Sequence, residues 1–243
     1  MTYCVAVLLD EGLVLASDTR TNAGVDQVAI FPKMHVFEVR GERVITILTA
    51  GNLAITQAVV NGLREAVKLD DGLHLQNIAS MFDAAKIVGD EVRSVFERDA
   101  EHLKNHKTEF SASILLAGQI KGEKPRLFSV YAAGNFIETS QDTPYFQIGE
   151  IKYGKPIIDR VVKYNSDMMD AVKCLLISFD STIRSNVSVA APIDLMLYRT
   201  NSFHADCHQR ITENDPYYTA VRQGWGAGLK KVFSELPSPD WCN

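Results

Sequence analysis

The second residue of the chain is a threonine that follows the initiator methionine and opens an apolar run. A small residue at this position generally allows Met1 to be trimmed, which would leave the Thr2 hydroxyl and a free α-amine on one residue. An α-amine has a pKa of about 7.7–8.0, so near neutral pH part of it is an unprotonated base beside its own nucleophile. The N-terminal threonine is a known variant of the nucleophile–base arrangement. Because Met-Thr openings are common, Thr2 is a candidate only if other residues support it.

Three further residues could support that chemistry. Asp18 ends a predicted buried strand one hairpin away from Thr2, and Lys33 stands at the entrance to another strand. A lysine beside the threonine oxygen would lower the cost of forming the alkoxide, and a carboxylate would orient the lysine and keep it charged. Gly51 lies where a predicted strand ends and a helix begins, and backbone N–H groups at such a junction can donate to an oxyanion.

Composition and the remaining motifs exclude several classes of function. With 25 Lys and Arg against 30 Asp and Glu, the net charge of −5 has the wrong sign for a protein that neutralises phosphates. No apolar run approaches the ~18 residues of a membrane span, and the start lacks the features of a secretory signal. Four scattered cysteines without a CxxC pair are typical of reducing compartments. We therefore predict a soluble cytoplasmic protein that binds neither nucleic acid nor membranes.

The motifs typical of nucleotide, dinucleotide and zinc-protease sites and of hydrolase elbows are absent from the sequence. His204, Asp206, Cys207 and His208 form one segment of metal-ligand types. No second ligand group stands at a recognisable spacing, so surface or interface residues are the simpler interpretation. We expect neither a metal nor an organic cofactor.

The elements that must position the candidates alternate between strands and pairs of helices. β-rich runs between turn signals predict strands over residues 3–9, 13–18, 34–39, 43–48, 110–119, 125–131, 193–198 and 202–211. Apolar residues at three- and four-residue steps predict helices over 52–68, 75–98, 153–162, 166–184 and 216–236. This order predicts an α+β fold of stacked antiparallel sheets with helices outside. Because no linker divides the chain, we predict one domain over residues 1–243.

The candidates stand in a specific order of motifs: Thr2, then Leu15-Ala16-Ser17-Asp18-Thr19-Arg20-Thr21, Lys33 and Thr49-Ala50-Gly51. This order closely resembles the N-terminal half of proteasome β-type subunits and of the HslV peptidase, which are N-terminal-nucleophile hydrolases. The resemblance implies a four-layer αββα sandwich, an assembly of many copies and hydrolysis of amide bonds. It also implies that Thr2 is the nucleophile with its own amine as base, that Asp18 and Lys33 support it, and that the Gly51 N–H is the oxyanion donor.

The same resemblance implies a substrate pocket. Thr21, Phe31, Thr49 and Leu53 fall where relatives line that pocket. None of these side chains is acidic or basic. They therefore imply a preference for a neutral substrate side chain.

The second half of the chain departs from the pattern of those relatives. An Asp-x-x-Ser pair and a Gly-Ser-Gly element complete their site, and local alignment places Ser185 and Ser188 at the first and Gly149-Glu150 at the second. Ser185 thus stands in place of the Asp of the first element, and Glu150 in place of the Ser of the second. Only Met1 precedes Thr2, in place of a propeptide, so we expect activation by an aminopeptidase.

Three functional hypotheses follow. The leading one is a proteasome-like threonine hydrolase that cleaves peptide or related amide bonds in a homo-oligomer, fed by a separate unfoldase or cap. A catalytically silent scaffold or binding subunit is favoured by the replaced Asp and Ser, and opposed by the joint presence of Thr2, Asp18, Lys33 and Gly51. A non-proteolytic amidase on the same fold is the third.

Overall fold

The computed structural model describes residues 2–22, 28–70, 72–105 and 109–241. The strands in these ranges are β1 (Tyr3–Leu9), β2 (Gly12–Asp18), β3 (Arg20–Asn22), β4 (Val28–Ile30), β5 (Met34–Val39), β6 (Arg43–Gly51), β7 (Ala112–Ile120), β8 (Arg126–Val130), β9 (Phe136–Glu138), β10 (Tyr145–Gly149), β11 (Ile193–Arg199) and β12 (Cys207–Ile211). The helices are α1 (Leu53–Leu69), α2 (Met81–Asn105), α3 (Lys155–Val161), α4 (Met168–Ser185) and α5 (Pro216–Glu235). None of these helices is long and apolar enough to cross a membrane.

Two five-stranded antiparallel sheets form the centre of the fold. Their strand orders are β10-β1-β2-β11-β12 and β5-β6-β7-β8-β9, and β3 pairs with β4 as a separate hairpin. The facing sides of the sheets enclose one apolar cluster. A second cluster joins the first sheet to α3, α4 and the start of α5, and a third joins the second sheet to α1 and α2. The expected αββα sandwich is therefore confirmed.

Strand β1 shows why the central strands are apolar along their whole length. Tyr3, Val5 and Val7 point toward the helices, and Cys4 and Ala6 point toward the other sheet. Successive side chains of a strand point to opposite faces, and here both faces are covered. This burial fixes the strand whose first residue follows Thr2.

Two predicted elements begin five or more residues later in the structure than the sequence predicted. The helix predicted over 75–98 begins at Met81, although Leu75 and Ile78 are buried as the apolar spacing indicates. Residues 74–80 form turns instead, and the His74 amide donates to Asn77 Oδ1 at 2.8 Å. The strand predicted over 202–211 begins only at Cys207, because the preceding residues form a turn in which the Ser202 hydroxyl donates to Asp206.

Candidate active site

Thr2 lies at the start of β1, between the ends of β2 and β10. The amide of Tyr3 donates to Asp18 Oδ1 at 3.0 Å, and the Thr2 carbonyl accepts from the Glu150 amide at 2.7 Å. Thr2 itself is 8% exposed. Its backbone is thus fixed from two sides by residues that are distant in sequence.

Asp18 and Lys33 form a buried ion pair beside Thr2. Lys33 Nζ lies 2.7 Å from Asp18 Oδ1 and donates also to the Arg20 carbonyl at 2.6 Å. Burial raises the pKa of Asp18 above its ordinary value, while the Lys33 ammonium and the Tyr3 amide act in the opposite direction. Asp18 Oδ2 is buried without a hydrogen-bond partner among the described residues. The predicted pair therefore exists, and it shares one carboxylate oxygen with the backbone that follows Thr2.

The backbone of Lys33 is held by β6, the strand that pairs with β5. The amide of Thr49 donates to the Lys33 carbonyl at 2.9 Å, and β5 begins at the next residue. Two strands therefore position the ion pair, since Asp18 is the last residue of β2 and Lys33 immediately precedes β5. This arrangement explains why the two residues, although fifteen positions apart, meet within the sandwich.

A glycine is required where β10 meets Thr2. Gly149 has a φ of +85°, and a Cβ atom at this residue would lie 1.9 Å from the Thr2 carbonyl oxygen. Tyr3 pairs with Gly149 in the sheet, so the two backbones cannot move apart without breaking that register. Any side chain at position 149 would displace Thr2.

Gly51 ends β6 at the junction predicted from the sequence. Its φ of +121° and the 2.3 Å that would separate a Cβ from the Ser111 carbonyl oxygen both favour glycine. Asn52 caps α1 by accepting from the Ala54 amide at 3.0 Å, and the helix begins at Leu53. The Gly51 N–H therefore belongs to a strand end next to a helix N-terminus, as an oxyanion donor would require.

The four pocket candidates lie in or next to β3, β4, β6 and α1. Thr21 is in β3, Leu53 is the first residue of α1, and the Phe31 amide donates to the Thr19 carbonyl at 2.9 Å. Thr49 is buried next to Lys33. The assignment of these residues to substrate binding stays a prediction.

Ser185 and Ser188 lie at the end of α4 and in the turn after it, and their supporting role stays a prediction. Ser185 is the last residue of α4 and is exposed, and Ser188 lies in the turn that follows. Neither hydroxyl forms a hydrogen bond with another residue in the described part of the chain. The backbone amide of Ser188 donates to Asn186 Oδ1 at 2.9 Å.

Asn186 and Glu150 connect this turn to Thr2, and sequence reasoning gave neither of them a role. Asn186, 8% exposed, donates to Glu150 Oε2 at 2.9 Å, and the Glu150 amide holds the Thr2 carbonyl. On the other side, Arg20 Nη1 donates to the Val187 carbonyl at 3.0 Å, and the Arg20 carbonyl accepts from Lys33. The contacts close a ring around Thr2. Glu150 stood in the aligned Gly-Ser-Gly position, but its link to Asn186 depends on the meeting of β10 with the end of α4.

With this geometry in view, comparison with known proteins defines the class. The family model for proteasome subunits matches residues 2–195, and the chain belongs to this family. A comparison with curated proteins found no match.

Within the family, the chain is similar to Anbu, the ancestral β-subunit. Anbu from Yersinia bercovieri is 51% identical over 98% of each chain, with a TM-score of 0.93. Anbu in a helical assembly from Pseudomonas aeruginosa is 46% identical over 98% of each chain, with a TM-score of 0.93. Anbu from Hyphomicrobium sp. strain MC1 is 44% identical over 98% of this chain and 99% of its own, with a TM-score of 0.89.

Proposed function

We propose that this protein is an N-terminal threonine hydrolase that cleaves peptide or related amide bonds within a homo-oligomer. The observation that carries the proposal is the buried Lys33–Asp18 ion pair of 2.7 Å, whose carboxylate also holds the Tyr3 amide next to Thr2. Burying two charges is costly unless they are well paired. A pair placed beside an N-terminal threonine has a direct use there, because it can stabilise a developing alkoxide.

The first step begins after Met1 has been removed. The Thr2 hydroxyl oxygen attacks the substrate carbonyl carbon, and its proton passes to the Thr2 α-amine. Two donors of the Lys33 ammonium are directed at Asp18 and the Arg20 carbonyl. In the proposed step the third donates to the Thr2 oxygen. The Gly51 N–H donates to the oxyanion of the tetrahedral intermediate.

The second step returns the enzyme to its starting state. The protonated α-amine gives its proton to the leaving amine, and the C–N bond of the substrate breaks to leave an ester on Thr2. Water then attacks this ester and gives a proton to the same α-amine. The bond between the acyl carbon and the Thr2 oxygen breaks, the proton passes from the amine to that oxygen, and the acid product leaves. Glu150 and Asn186 act as positioning residues in both steps, because they fix the Thr2 carbonyl.

The pocket candidates support a class of substrate, and a similar protein supports an assembly. Thr21, Phe31, Thr49 and Leu53 favour a neutral substrate side chain, in a protein that works in the cytoplasm. Because a relative 46% identical to this chain forms a helical assembly, we propose that copies of this chain also associate. Any ATP-dependent unfoldase or cap would be a separate protein, since the chain carries no nucleotide-binding motif.

The proposal is tested by intact mass before and after treatment with a peptide epoxyketone, which bonds to both a hydroxyl and an adjacent amine. We expect loss of Met1 and one adduct, absent in Thr2→Ala. A chain that lacks Met1 but forms no adduct would contradict the catalytic proposal and favour the silent scaffold. A panel of peptides and small amides then separates a peptidase from an amidase.

A further inference from the structure

The side chain of Tyr3, the residue after Thr2, ends in a buried hydrogen-bond network under the helices. Its ring is fully buried, and its centroid lies 4.6 Å from that of Phe179. Its hydroxyl oxygen lies 3.1 Å from the Ser178 hydroxyl of α4 and accepts a hydrogen bond from the side-chain amide of Gln147 in β10. The residue next to the proposed nucleophile therefore contacts two elements from the second half of the chain.

Only one direction of hydrogen bonding satisfies every polar group of this network. Gln147 donates to the Tyr3 oxygen, so the phenol proton is left to bond Ser178 Oγ. Ser178 gives its own proton to the Leu175 carbonyl at 2.7 Å and can therefore accept. Burial raises the pKa of Tyr3 above its ordinary value, so the phenol keeps the proton that it donates. Phenylalanine at this position could form neither bond.

The start of α3 encloses the same hydroxyl. Gly154 immediately precedes this helix, and a Cβ atom there would lie 2.3 Å from the Tyr3 hydroxyl oxygen. The Tyr3 ring is rigid and fully buried, so the hydroxyl could not turn aside for a larger residue at position 154. Elements α3, α4 and β10 thus surround the hydroxyl oxygen.

This network holds the end of β1 at the point where its pairing with β2 has stopped. The last pair of these two strands is Cys4 with Ser17, so Tyr3 and Thr2 lie beyond it. The other β1 side chains that face the helices are aliphatic, and apolar burial is not directional. A hydrogen bond weakens steeply as its angle departs from linear. We infer that Tyr3 is a positioning residue whose hydroxyl sets the place of Thr2 relative to Lys33, an inference that rests on the proposed function.

The consequence for the reaction is a loss of rate without a loss of binding. The Thr2 oxygen must lie next to the Lys33 ammonium and the substrate carbonyl carbon together, and a misplacement of about 1 Å can slow a reaction about 10²-fold. Without the Tyr3 hydroxyl we expect a smaller displacement and a loss of about tenfold. The four pocket candidates lie on other elements, so the affinity for substrate should not change.

The test is the rate of adduct formation with a peptide epoxyketone, measured over a range of epoxyketone concentrations. Tyr3→Phe keeps the ring and removes the hydroxyl. We expect its maximal labelling rate to fall about tenfold, with an unchanged half-saturating concentration. Ser178→Ala removes the acceptor and leaves Tyr3 in place, and it should change the rate in the same direction. Intact mass checks that each variant has lost Met1.

Tyr198→Phe is the matched control. Tyr198 is also fully buried, and its hydroxyl donates to Gln119 Oε1 at 2.6 Å. It pairs with Leu13, near the end of β2 that is remote from Asp18. We expect Tyr198→Phe to lower the midpoint of urea denaturation as Tyr3→Phe does, and to keep the wild-type labelling rate.

Wild-type labelling of both Tyr3→Phe and Ser178→Ala would overturn the inference and leave the catalytic proposal standing. Equal slowing in Tyr198→Phe would also overturn it, because the loss would then follow stability alone. A trimmed wild type that forms no adduct would overturn the proposed function and this inference together. If Tyr3→Phe does not fold, its combination with Gln147→Leu leaves no amide unpaired and gives the same comparison.

Discussion

The two halves of the candidate site are held together in different ways. In the first half, Asp18 and Lys33 form an ion pair whose side chains are 0% and 5% exposed. In the second half, Glu150 and Asn186 are joined by a hydrogen bond between a carboxylate and a neutral amide, with Glu150 partly exposed. A buried charge that loses its partner has no water to replace it, whereas a partly exposed group does. Loss of a group from the first half should therefore destabilise the protein more than loss of a group from the second half, whose main effect is to position Thr2.

The largest effect should follow from removing one charge of the buried pair. Lys33→Ala leaves the Asp18 carboxylate unpaired, and we expect the free energy of unfolding to fall by about 3–5 kcal/mol. Labelling of Thr2 by an epoxyketone should slow by a factor on the order of 10²–10⁴. Urea denaturation and the time course of the adduct measure the two losses.

A double variant separates stability from chemistry at the same pair. Lys33→Met with Asp18→Asn removes both charges, so much of the stability should return while labelling stays slow. If labelling also returned, the pair would be structural only.

The next effect concerns the contact between Gly149 and Thr2. Gly149→Ala forces a left-handed backbone, at about 1–2 kcal/mol, and adds a clash that costs about 1–3 kcal/mol more. Gly41→Ala is a matched control, since Gly41 has a φ of +81° and nothing within 4 Å of a Cβ. We expect slow labelling only in Gly149→Ala. Equal labelling rates in the two variants would show that Thr2 does not depend on this contact.

A smaller effect should come from the Glu150–Asn186 link. Asn186→Ala removes a largely buried hydrogen bond, so we expect a loss of about 1 kcal/mol in stability. Because the link positions Thr2, the labelling rate should fall about tenfold and substrate turnover should fall more than KM rises. Asn135→Ala, at an exposed asparagine between β8 and β9, should leave both unchanged. An Asn186→Ala protein with wild-type labelling would remove this residue from the site.

The last effect is a pH dependence of the free energy of unfolding that arises from His35 in β5. Burial, with a contribution from Arg64, lowers the pKa of His35 to about 4. An unfolded histidine titrates near 6.5, so between these values the unfolded state binds more protons than the folded one. The free energy of unfolding should thus decrease as pH falls from about 6.5 to 4, and His35→Gln should flatten this decrease. An unchanged slope in that variant would assign the effect to another group.

Most of the central strands could be predicted from the sequence because they are apolar on both faces. The bounds of β1 and β5 agree with the prediction, and β2 and β6 differ only at their ends. The short strands β3, β4, β9 and β10 were missed. Each has three to five residues, and β10 forms only because it pairs with β1 across more than a hundred residues of chain.

For the site, local motifs indicated the residue types and a family resemblance indicated their roles. Thr2, Asp18 and Lys33 stand within one short N-terminal segment, so their motifs could be read together. Glu150 and Asn186 come from two distant segments that only the fold brings together. Leu75 shows that prediction of secondary structure has a similar limit. A buried apolar spacing is compatible with turns as well as with a helix.

The central claim is that Thr2 hydrolyses amide bonds with the help of its own amine. Its most direct test is turnover of a panel of neutral-side-chain peptides and small amides by the trimmed wild type and by Thr2→Ala, at matched assembly size. We predict turnover of at least one substrate by the wild type and none by Thr2→Ala. Equal turnover by the two proteins would contradict the claim.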